Sequence, residues 1–322
     1  MNADAFLADV LREPETLAGL LDVYGASSSP LHEVAALDPA RDRVVLIGMG
    51  SSRFAALTAA SALRARGVWA HVEYASTGVP TPPSPQLLAV GISASGATEE
   101  TVEALARHHG VSRTLAITNR PDGPMAAVAD GVLPLLAGEE AGGVACRTFQ
   151  ATVAVLLLLS GIDSDALRPA VEAQAALIDA RERWVEPLLA GLAGAHTVYT
   201  IAPAERRSSA EQSALMFREG PRVAADATET GDWLHVDVYL SKHPAYTAML
   251  FGGSRYDAAV MTWARERAST VVAVGRPVDG AALHVGFQDA EDPLVCALVE
   301  VSVAELAAAV LWQRRIAART MP

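Results

Sequence analysis

Short apolar runs rich in β-branched residues alternate with helix-like patterns over most of this chain. The first predicted strand, residues 44–48, is followed by a helical pattern over residues 53–66. Neighbouring strands that are joined through helices run parallel, and a parallel sheet needs helices on both faces. The first half is therefore predicted to be an α/β domain, with further strands at residues 68–74, 87–93, 113–118 and 132–136.

The same alternation restarts after a long predicted helix at residues 167–192. Strands are predicted at residues 196–202, 223–227, 246–251 and 270–274, and helices at residues 208–219, 258–267 and 303–318. We therefore predict two similar α/β domains, each a parallel sheet in a three-layer αβα sandwich. The expected boundaries are an N-terminal helical arm (1–30, interrupted at Glu13-Pro14), a first domain (31–165), a linking helix (166–193) and a second domain (194–322).

The turn after the predicted strand at residues 87–93 is rich in hydroxyl groups. It reads Ser93-Ala94-Ser95-Gly96-Ala97-Thr98 and leads into a helical pattern. The first amides of a helix lack intrahelical partners and lie at the positive end of the helix dipole, so a phosphate is stabilised there. The other interpretation is that these Ser and Thr side chains only cap the helix. In the second half, Gly252-Gly253-Ser254 takes the corresponding place without the hydroxyl cluster, so we expect one phosphate-type site, in the first half.

The composition narrows the class of partner. The 322 residues carry a formal net charge of −12, which argues against nucleic acid or an anionic membrane. The two cysteines, Cys146 and Cys296, form neither a metal-binding nor a disulfide pattern, so no metal is expected. The longest apolar stretch, residues 151–159, is shorter than the roughly 20 residues that span a bilayer. Because the first ten residues lack a basic signal segment, we expect a soluble cytoplasmic protein.

Three segments, in order along the chain, resemble the sugar isomerase (SIS) family. They are Gly48-Met49-Gly50-Ser51-Ser52, similar to the family's glycine-rich turn; residues 93–98, similar to its S-x-S-G-x-T phosphate loop; and Ala137-Gly138-Glu139-Glu140 through Gly143-Val144-Ala145, similar to its A-G-x-E…G-V-A segment. Each motif alone is weak, and the ordered set is more specific. The set resembles the tandem kind in the isomerase half of glucosamine-6-phosphate synthase and related sugar-phosphate deaminases and deglycases, which implies two SIS domains.

The resemblance also implies a site for a sugar phosphate. The residues that would bind the phosphate and the sugar are Gly50, Ser51, Ser52, Ser93, Ser95, Thr98 and Val144, the last through its backbone. In the second half, residues 214–219 resemble the end of the family's helix that carries its general base, which falls on Glu219. His235, 16 residues further on, matches the family's histidine that assists ring opening.

The side chains of Glu219 and His235 suit the isomerisation of a sugar. Moving a proton between C1 and C2 of an open-chain sugar needs a carboxylate that takes and returns it, and such a group contributes about 10²–10⁴ in rate. A histidine that titrates near neutrality can open the ring and polarise the carbonyl. Apart from the resemblance, a Glu at a helix end is most often solvated, and a loop His usually has no catalytic role.

The chain departs from the synthase pattern at both of the family's lysines. Met216 stands three residues before Glu219, where the pattern has a lysine. The late lysine of the pattern has no counterpart, since the sequence stops at Met321-Pro322, and Lys242 is the only lysine. Val236-Asp237 replaces the usual Gly-Pro after the histidine. No glutaminase domain precedes the sugar domain, so glutamine-dependent amide transfer is not expected.

Together these features predict a cofactor-free enzyme that acts on a phosphorylated sugar. The expected reaction is aldose–ketose isomerisation, or deamination or deglycation of an aminosugar phosphate, by proton transfer between C1 and C2. The resemblance implies a homodimer with its site near the subunit interface. One alternative is a non-catalytic sugar-phosphate sensor whose second-half site is vestigial, and another is an enzyme that acts on a sugar without phosphate.

Overall fold

The chain forms two compact units, and the computed structural model describes residues 1–34 and 36–320 of it. The N-terminal unit comprises Glu15–Glu139 and Arg147–Arg168. The C-terminal unit comprises Met1–Pro14, Glu140–Cys146 and the chain from Pro169 onward. Neither unit is continuous in sequence. The expectation about the chain's end, at Met321-Pro322, falls outside the described residues, as does Ala35 within the first predicted domain.

Two helices open the chain, in agreement with the interruption predicted at Glu13-Pro14. They are α1 (Ala3–Leu11) and α2 (Glu13–Gly25). Oδ1 of Asn2 accepts hydrogen bonds from the amides of Asp4 and Ala5, each 3.0 Å long, and so caps α1. Helix α1 belongs to the C-terminal unit, where the ring of Phe6 lies 6.2 Å from that of Trp312.

The N-terminal unit is built on five parallel strands, close to the positions expected from the sequence. They are β1 (Arg43–Gly48), β2 (Trp69–Tyr74), β3 (Leu87–Ile92), β4 (Arg113–Thr118) and β5 (Gly131–Pro134). Their order in the sheet is β2-β1-β3-β4-β5. Every residue of β3 is buried, as expected for a parallel strand covered on both faces. The helices of this unit, besides most of α2, are α3 (Gly50–Ala65), α4 (Glu99–Ala106), α5 (Arg147–Leu159) and α6 (Ser164–Leu167).

The strand order places a topological switch point between β1 and β3. From β1 the chain moves outward to β2, then returns to the other side of β1 and continues through β3, β4 and β5. The loops that leave the carboxyl ends of β1 and β3 therefore diverge and leave a crevice, which is where open α/β sheets bind ligands.

The C-terminal unit repeats this topology. Its strands are β6 (Val198–Ala202), β7 (Ala225–Glu229), β8 (Thr247–Phe251), β9 (Thr270–Val274) and β10 (Leu283–Val285), in the order β10-β9-β8-β6-β7. Its helices besides α1 are α7 (Pro169–Asp179), α8 (Arg181–Leu192), α9 (Arg207–Glu219), α10 (Thr230–Trp233), α11 (Asp257–Glu266), α12 (Pro293–Val299) and α13 (Val301–Thr320). The prediction of an α/β fold with two parallel sheets flanked by helices is confirmed.

The long helix expected at residues 167–192 is instead three separate segments. Helix α6 ends at Leu167, α7 begins at Pro169 and α8 begins at Arg181. Proline lacks an amide hydrogen and favours the first position of a helix, so Pro169 starts a new helix rather than continuing the one before it. The amphipathic pattern carried no signal for the second break, at Ala180.

One stretch within the described residues, Pro293–Ala318, is long and apolar enough to cross a membrane by length and composition alone. Of its most apolar window, 83% is buried inside the protein. The stretch is therefore packed as a core helix of a soluble protein is packed.

The apolar helix α13 carries a buried carboxyl group that pairs with one from α2. Glu305 and Glu13 are each 1% exposed. Oε2 of Glu13 accepts hydrogen bonds from Nε2 of Gln174 (2.7 Å) and Oγ of Ser302 (3.0 Å). Burial, and then the neighbouring Glu13, raise the pKa of Glu305 well above the ordinary value of a glutamic acid. The pair is therefore stabilised with a proton on Glu305.

Candidate functional site

The turn after β3 gathers three hydroxyl groups into one cluster. Oγ of Ser93 lies 2.9 Å from Oγ1 of Thr98 and 3.4 Å from Oγ of Ser95. Ser93 is buried, Thr98 is partly exposed and Ser95 is exposed. The cluster is thus open to solvent on the side of Ser95, and its hydroxyl groups, which hydrogen-bond to one another here, can rotate to donate to an anion.

The interpretation that these side chains only cap α4 does not hold for Thr98. Thr98 is the residue that precedes α4, but its side chain makes no capping hydrogen bond. Its hydroxyl group points to Ser93 instead. By contrast, Asp292 at the start of α12 accepts a hydrogen bond of 2.8 Å from the amide of Leu294. The positive end of the α4 dipole thus lies beside the hydroxyl cluster without a capping side chain from Thr98.

Gly96 gives this turn its shape. Its φ is +62°, in the left-handed region that favours glycine. A Cβ at this position would lie 2.8 Å from Oγ1 of Thr118 at the end of β4. The carbonyl of Gly96 also accepts a hydrogen bond of 2.9 Å from the amide of Met125. The turn can therefore pack against β4 only with glycine here.

The loop after β1 lies at the carboxyl end of the neighbouring strand. Gly50, with φ +50°, begins α3, and the preceding Met49 makes no side-chain cap. Ser51 and Ser52 follow in the first turn and are partly exposed. Since β1 and β3 are adjacent, about 4.8 Å apart, the two hydroxyl-bearing loops leave the same edge of the sheet at the switch point.

Arg53 adds a cation to the first turn of α3, which sequence reasoning missed. Its guanidinium carbon lies 4.5 Å from the ring centroid of Tyr74 and 5.0 Å from that of Phe54. A cation is unfavourable at the positive end of a helix, unless an anion shares the site. The signal in the sequence was a basic residue directly after the Gly-Ser-Ser turn.

Two further residues that the sequence did not single out hold residues 137–139 in place. Arg147, 3% exposed, donates from Nη1 to the carbonyl of Ala137 (2.6 Å) and from Nη2 to that of Glu139 (2.5 Å). Oδ1 of Asn119 accepts a hydrogen bond of 3.1 Å from the amide of Ala137. A buried arginine at the start of an apolar helix was the available signal, because such a cation must find acceptors nearby.

Val144 lies in the C-terminal unit and is 2% exposed. The segment around it is held by hydrogen bonds within that unit. Oε1 of Glu140 accepts one of 2.7 Å from the amide of Cys146, and Nε2 of Gln212 in α9 donates one of 2.9 Å to the carbonyl of Ala145. These two hydrogen bonds fix the backbone directly after Val144.

Glu219 is the last residue of α9 and is half-buried. Burial raises the pKa of its carboxyl group. The Arg222 cation acts in the opposite direction and lowers this pKa, whereas the Glu140 carboxylate raises it. A carboxylate with a raised pKa is a stronger base than an exposed one, which suits a group that must take and return a proton.

His235 lies in the same unit as Glu219, just after α10, and is exposed. Across residues 1–34 and 36–320, no hydrogen bond or ion pair joins it to Glu219. The predicted site residues are thus divided between the units. Gly50, Ser51, Ser52, Ser93, Ser95 and Thr98 lie in the N-terminal unit, and Val144, Glu219 and His235 lie in the C-terminal unit.

In the C-terminal unit the turn after β8 holds a carboxylate of the chain itself. Oδ2 of Asp257, the first residue of α11, accepts a hydrogen bond of 2.7 Å from the amide of Gly253. Nη2 of the buried Arg206 donates to the carbonyl of Gly252 (2.7 Å), and its Nη1 pairs with Glu300. Where the first unit has its hydroxyl cluster, this turn is thus held by an internal ion pair and by hydrogen bonds to its backbone. No group of three or more potential metal-ligating side chains occurs in the described part of the chain.

Part of the chain matches the model of a known protein family. Residues 37–160, which include β1 to β5 and both hydroxyl-bearing loops, match the model of the SIS domain. All three motifs that carry the resemblance lie within these matched residues. The resemblance inferred from the motifs is thereby confirmed.

Part of the chain is also similar to longer proteins. The chain is 32% identical over 162 residues to the isomerizing glutamine–fructose-6-phosphate aminotransferase of Gloeobacter violaceus, and the match covers 48% of this chain and 26% of that protein. The chain thus spans about a quarter of the length of the relatives it matches.

Two solved structures share the fold over nearly the whole chain, beyond the SIS domain. Glucosamine-6-phosphate deaminase from Thermotoga maritima has a TM-score of 0.77 at 18% identity, covering 97% of this chain and 95% of that one. Tagatose-6-phosphate ketose/aldose isomerase from Escherichia coli has a TM-score of 0.79 at 16% identity, covering 96% and 94%. At these low identities the similarity shows only a shared fold. Because it covers nearly the whole chain, this shared fold includes both sheets.

Proposed function

We propose that this chain binds a phosphorylated sugar through the loops that follow β1 and β3. The observation that carries the proposal is the hydroxyl cluster of Ser93, Ser95 and Thr98 at the switch point of the sheet, beside a helix start that Thr98 does not cap. Arg53 in the first turn of α3 supplies a cation on the same edge. Each hydrogen bond from such groups to a phosphate contributes about 1.5–3 kcal/mol.

The proposed reaction is proton transfer between C1 and C2 of the open-chain sugar. Glu219 takes the proton from one carbon and returns it to the other, and His235 assists ring opening. The product is a ketose from an aldose or, when the sugar carries an amine, the deaminated or deglycated sugar phosphate. The named relatives include an isomerase and a deaminase, which supports both forms. No cofactor is required for this chemistry, and the proposal does not include glutamine-dependent amide transfer.

We further propose a cytoplasmic homodimer whose site lies near the subunit interface. An exposed apolar patch next to His235 supports this part of the proposal: Val236 is 56% exposed, Tyr239 65% and Leu240 44%. Exposed apolar residues that cluster in this way mark interaction surfaces. The net charge of −12 leaves nucleic acid and anionic membranes as poor partners.

The domain boundaries at 1–30, 31–165, 166–193 and 194–322, and the three-layer build of each domain, remain part of this proposal. The full burial of β3 and of β8 supports helices on both faces of each sheet.

The second candidate is a sugar-phosphate sensor without catalytic activity. Two observations favour the sensor. His235 is exposed, and within the described part of the chain it makes no hydrogen bond or ion pair to Glu219. Met216 in place of a lysine agrees with this alternative. A third candidate, an enzyme for an unphosphorylated sugar, has no structural observation in its favour.

A binding screen followed by an exchange measurement separates these candidates. Hexose phosphates, aminosugar phosphates and their unphosphorylated forms are first compared by thermal shift, where a ligand at 100 times its Kd stabilises by about 2.7 kcal/mol. Each ligand that binds is then incubated in D₂O with the wild type and with Glu219→Gln, and deuterium at C2 is measured. Exchange that Glu219→Gln abolishes supports the enzyme. Binding without exchange in the wild type favours the sensor, and a chain that no phosphorylated sugar stabilises refutes the proposed site.

A further inference from the structure

Arg222 has a strained backbone three residues after Glu219. Its φ is +60°, in the left-handed region that residues other than glycine seldom adopt. Such a conformation costs about 1–2 kcal/mol, and it persists only when the surrounding structure holds it in place. Strain of this kind is concentrated at functional sites.

The turn that carries Arg222 is fixed from both sides. The amide of Gly220 donates to the carbonyl of Met216 (3.1 Å), and that of Val223 donates to the carbonyl of Phe217 (2.9 Å). Nη1 of Arg315 in α13 donates to the carbonyl of Pro221 (2.8 Å) and lies 3.3 Å from that of Arg222. The backbone of the turn is therefore held rigidly against the end of α9.

The guanidinium group of Arg222 is exposed and weakly engaged. Its one hydrogen bond within residues 1–34 and 36–320 is to Sδ of Met1, at 3.6 Å, and a thioether is a weak acceptor. The charge nevertheless acts on Glu219, since it lowers the pKa of that carboxyl group. The turn thus keeps a cation beside the proposed base without a strong internal partner for it.

We propose that Arg222 binds the sugar oxygen that becomes negatively charged when Glu219 removes the proton. This inference rests on the proposed function. In the aldose-to-ketose direction the proton on C2 passes to the Glu219 carboxylate, and the C–H electron pair forms the C1=C2 bond. The π pair of the C1 carbonyl moves onto its oxygen, which becomes the anion that Arg222 stabilises. Glu219 then returns the proton to C1, while the hydroxyl proton on the C2 oxygen passes to the C1 oxygen and leaves a ketone at C2.

Lys242, the only lysine of the chain, is less suited to this role. It is exposed near the 3₁₀ turn Asp237–Lys242, with Nζ 5.7 Å from the ring centroid of Tyr239. Arg222, by contrast, lies in the turn that leaves α9, three residues after Glu219.

The test uses Arg222→Gly, Arg222→Lys and a matched control, Arg218→Gln, which changes an exposed arginine one residue before Glu219. Arg222→Gly relieves the backbone strain, so its Tm should equal or exceed that of the wild type. Deuterium exchange at C2 of a sugar phosphate that binds should fall about 100-fold in Arg222→Gly, as expected for the loss of one group that stabilises a developing anion. Arg222→Lys should retain part of the rate, and Arg218→Gln should stay within about twofold of the wild type.

A shift in the pH profile separates this role from a structural one. Because Arg222 lowers the pKa of Glu219, the rise of exchange with pH should move to higher pH in Arg222→Gly and stay in place in Arg218→Gln. A folded Arg222→Gly protein with an unchanged rate and profile would overturn the role of Arg222 while the proposed function stands. If the wild type itself shows no exchange with any sugar phosphate, the proposed function fails and this role fails with it.

Discussion

Thr98 directs its hydroxyl group to Oγ of Ser93, 2.9 Å away, rather than to an amide of the helix that it precedes. The helix start and the hydroxyl cluster are therefore separate sets of donors on one turn.

Ser93→Ala should weaken binding of a sugar phosphate by about tenfold or more, because it removes one hydrogen bond to a charged group. The measurement is the Kd of glucosamine 6-phosphate, or of whichever sugar phosphate binds best, by calorimetry. Ser28→Ala, in an exposed surface turn of the same unit, is the control and should leave the Kd unchanged. Equal affinities for the Ser93→Ala variant and the wild type would place the phosphate elsewhere.

Gly96→Ala should destabilise the chain more than Gly110→Ala does. Both glycines have positive φ, +62° and +77°, so both variants incur the backbone strain of about 1–2 kcal/mol. A Cβ at Gly96 would also lie 2.8 Å from Oγ1 of Thr118, whereas no atom lies within 4 Å of a Cβ at Gly110. Urea unfolding should show an additional loss of about 1 kcal/mol for Gly96→Ala. Identical losses would mean that the turn can move away from β4.

The proposed base should work at a higher pH than an ordinary glutamate. Only the ionised carboxylate accepts a proton, and burial raises the pKa of Glu219, so exchange at C2 should rise with pH above the usual glutamate pKa of about 4.3. Glu140→Gln should move this rise to lower pH, because the Glu140 carboxylate raises the pKa of Glu219. The pH dependence of the exchange rate checks both statements. A rise at the same pH in Glu140→Gln and the wild type would contradict the electrostatic assignment.

Two carboxyl groups on the same apolar stretch should respond in opposite ways to replacement by glutamine. The pKa of Glu305 is raised in the folded chain, so its contribution to stability is present below the ordinary glutamate pKa and is lost as pH rises through the folded value. Glu305→Gln should therefore stabilise the chain at pH 8, by about 1 kcal/mol, and weaken the loss of stability with rising pH.

Glu300→Gln is the contrasting case. It removes the partner of the buried Arg206 and should destabilise the chain by about 3 kcal/mol. Urea unfolding of both variants at several pH values measures the difference. A Glu305→Gln variant less stable than the wild type at pH 8 would show that the charged form of this residue is well solvated.

The pattern of strands was largely predictable, because parallel strands are short apolar runs and β4 and β9 coincide with the predicted segments. The break at Ala180 and the short strand β10 were not predictable. One lies within an unbroken amphipathic pattern, and the other has only three residues.

The site was predictable only in its residue types. The hydroxyl cluster follows from the local spacing of Ser93, Ser95 and Thr98. The contacts of two arginines depend on partners that are not their sequence neighbours. Arg53 lies over the ring of Tyr74. Arg147 donates hydrogen bonds to the carbonyls of Ala137 and Glu139. The role of Arg222 depends on a backbone conformation that no spacing rule encodes.

The division of the chain into units also bears on its synthesis. Residues 15–168 contain the whole N-terminal sheet, so this sheet can form while the ribosome is still translating the second half. Helix α1 is translated before this sheet but packs within the C-terminal unit, where the ring of Phe6 lies 6.2 Å from that of Trp312 in α13. The apolar face of α1 therefore cannot pack against α13 until some 300 further residues have been translated. During that interval α1 is open to aggregation and to capture by chaperones.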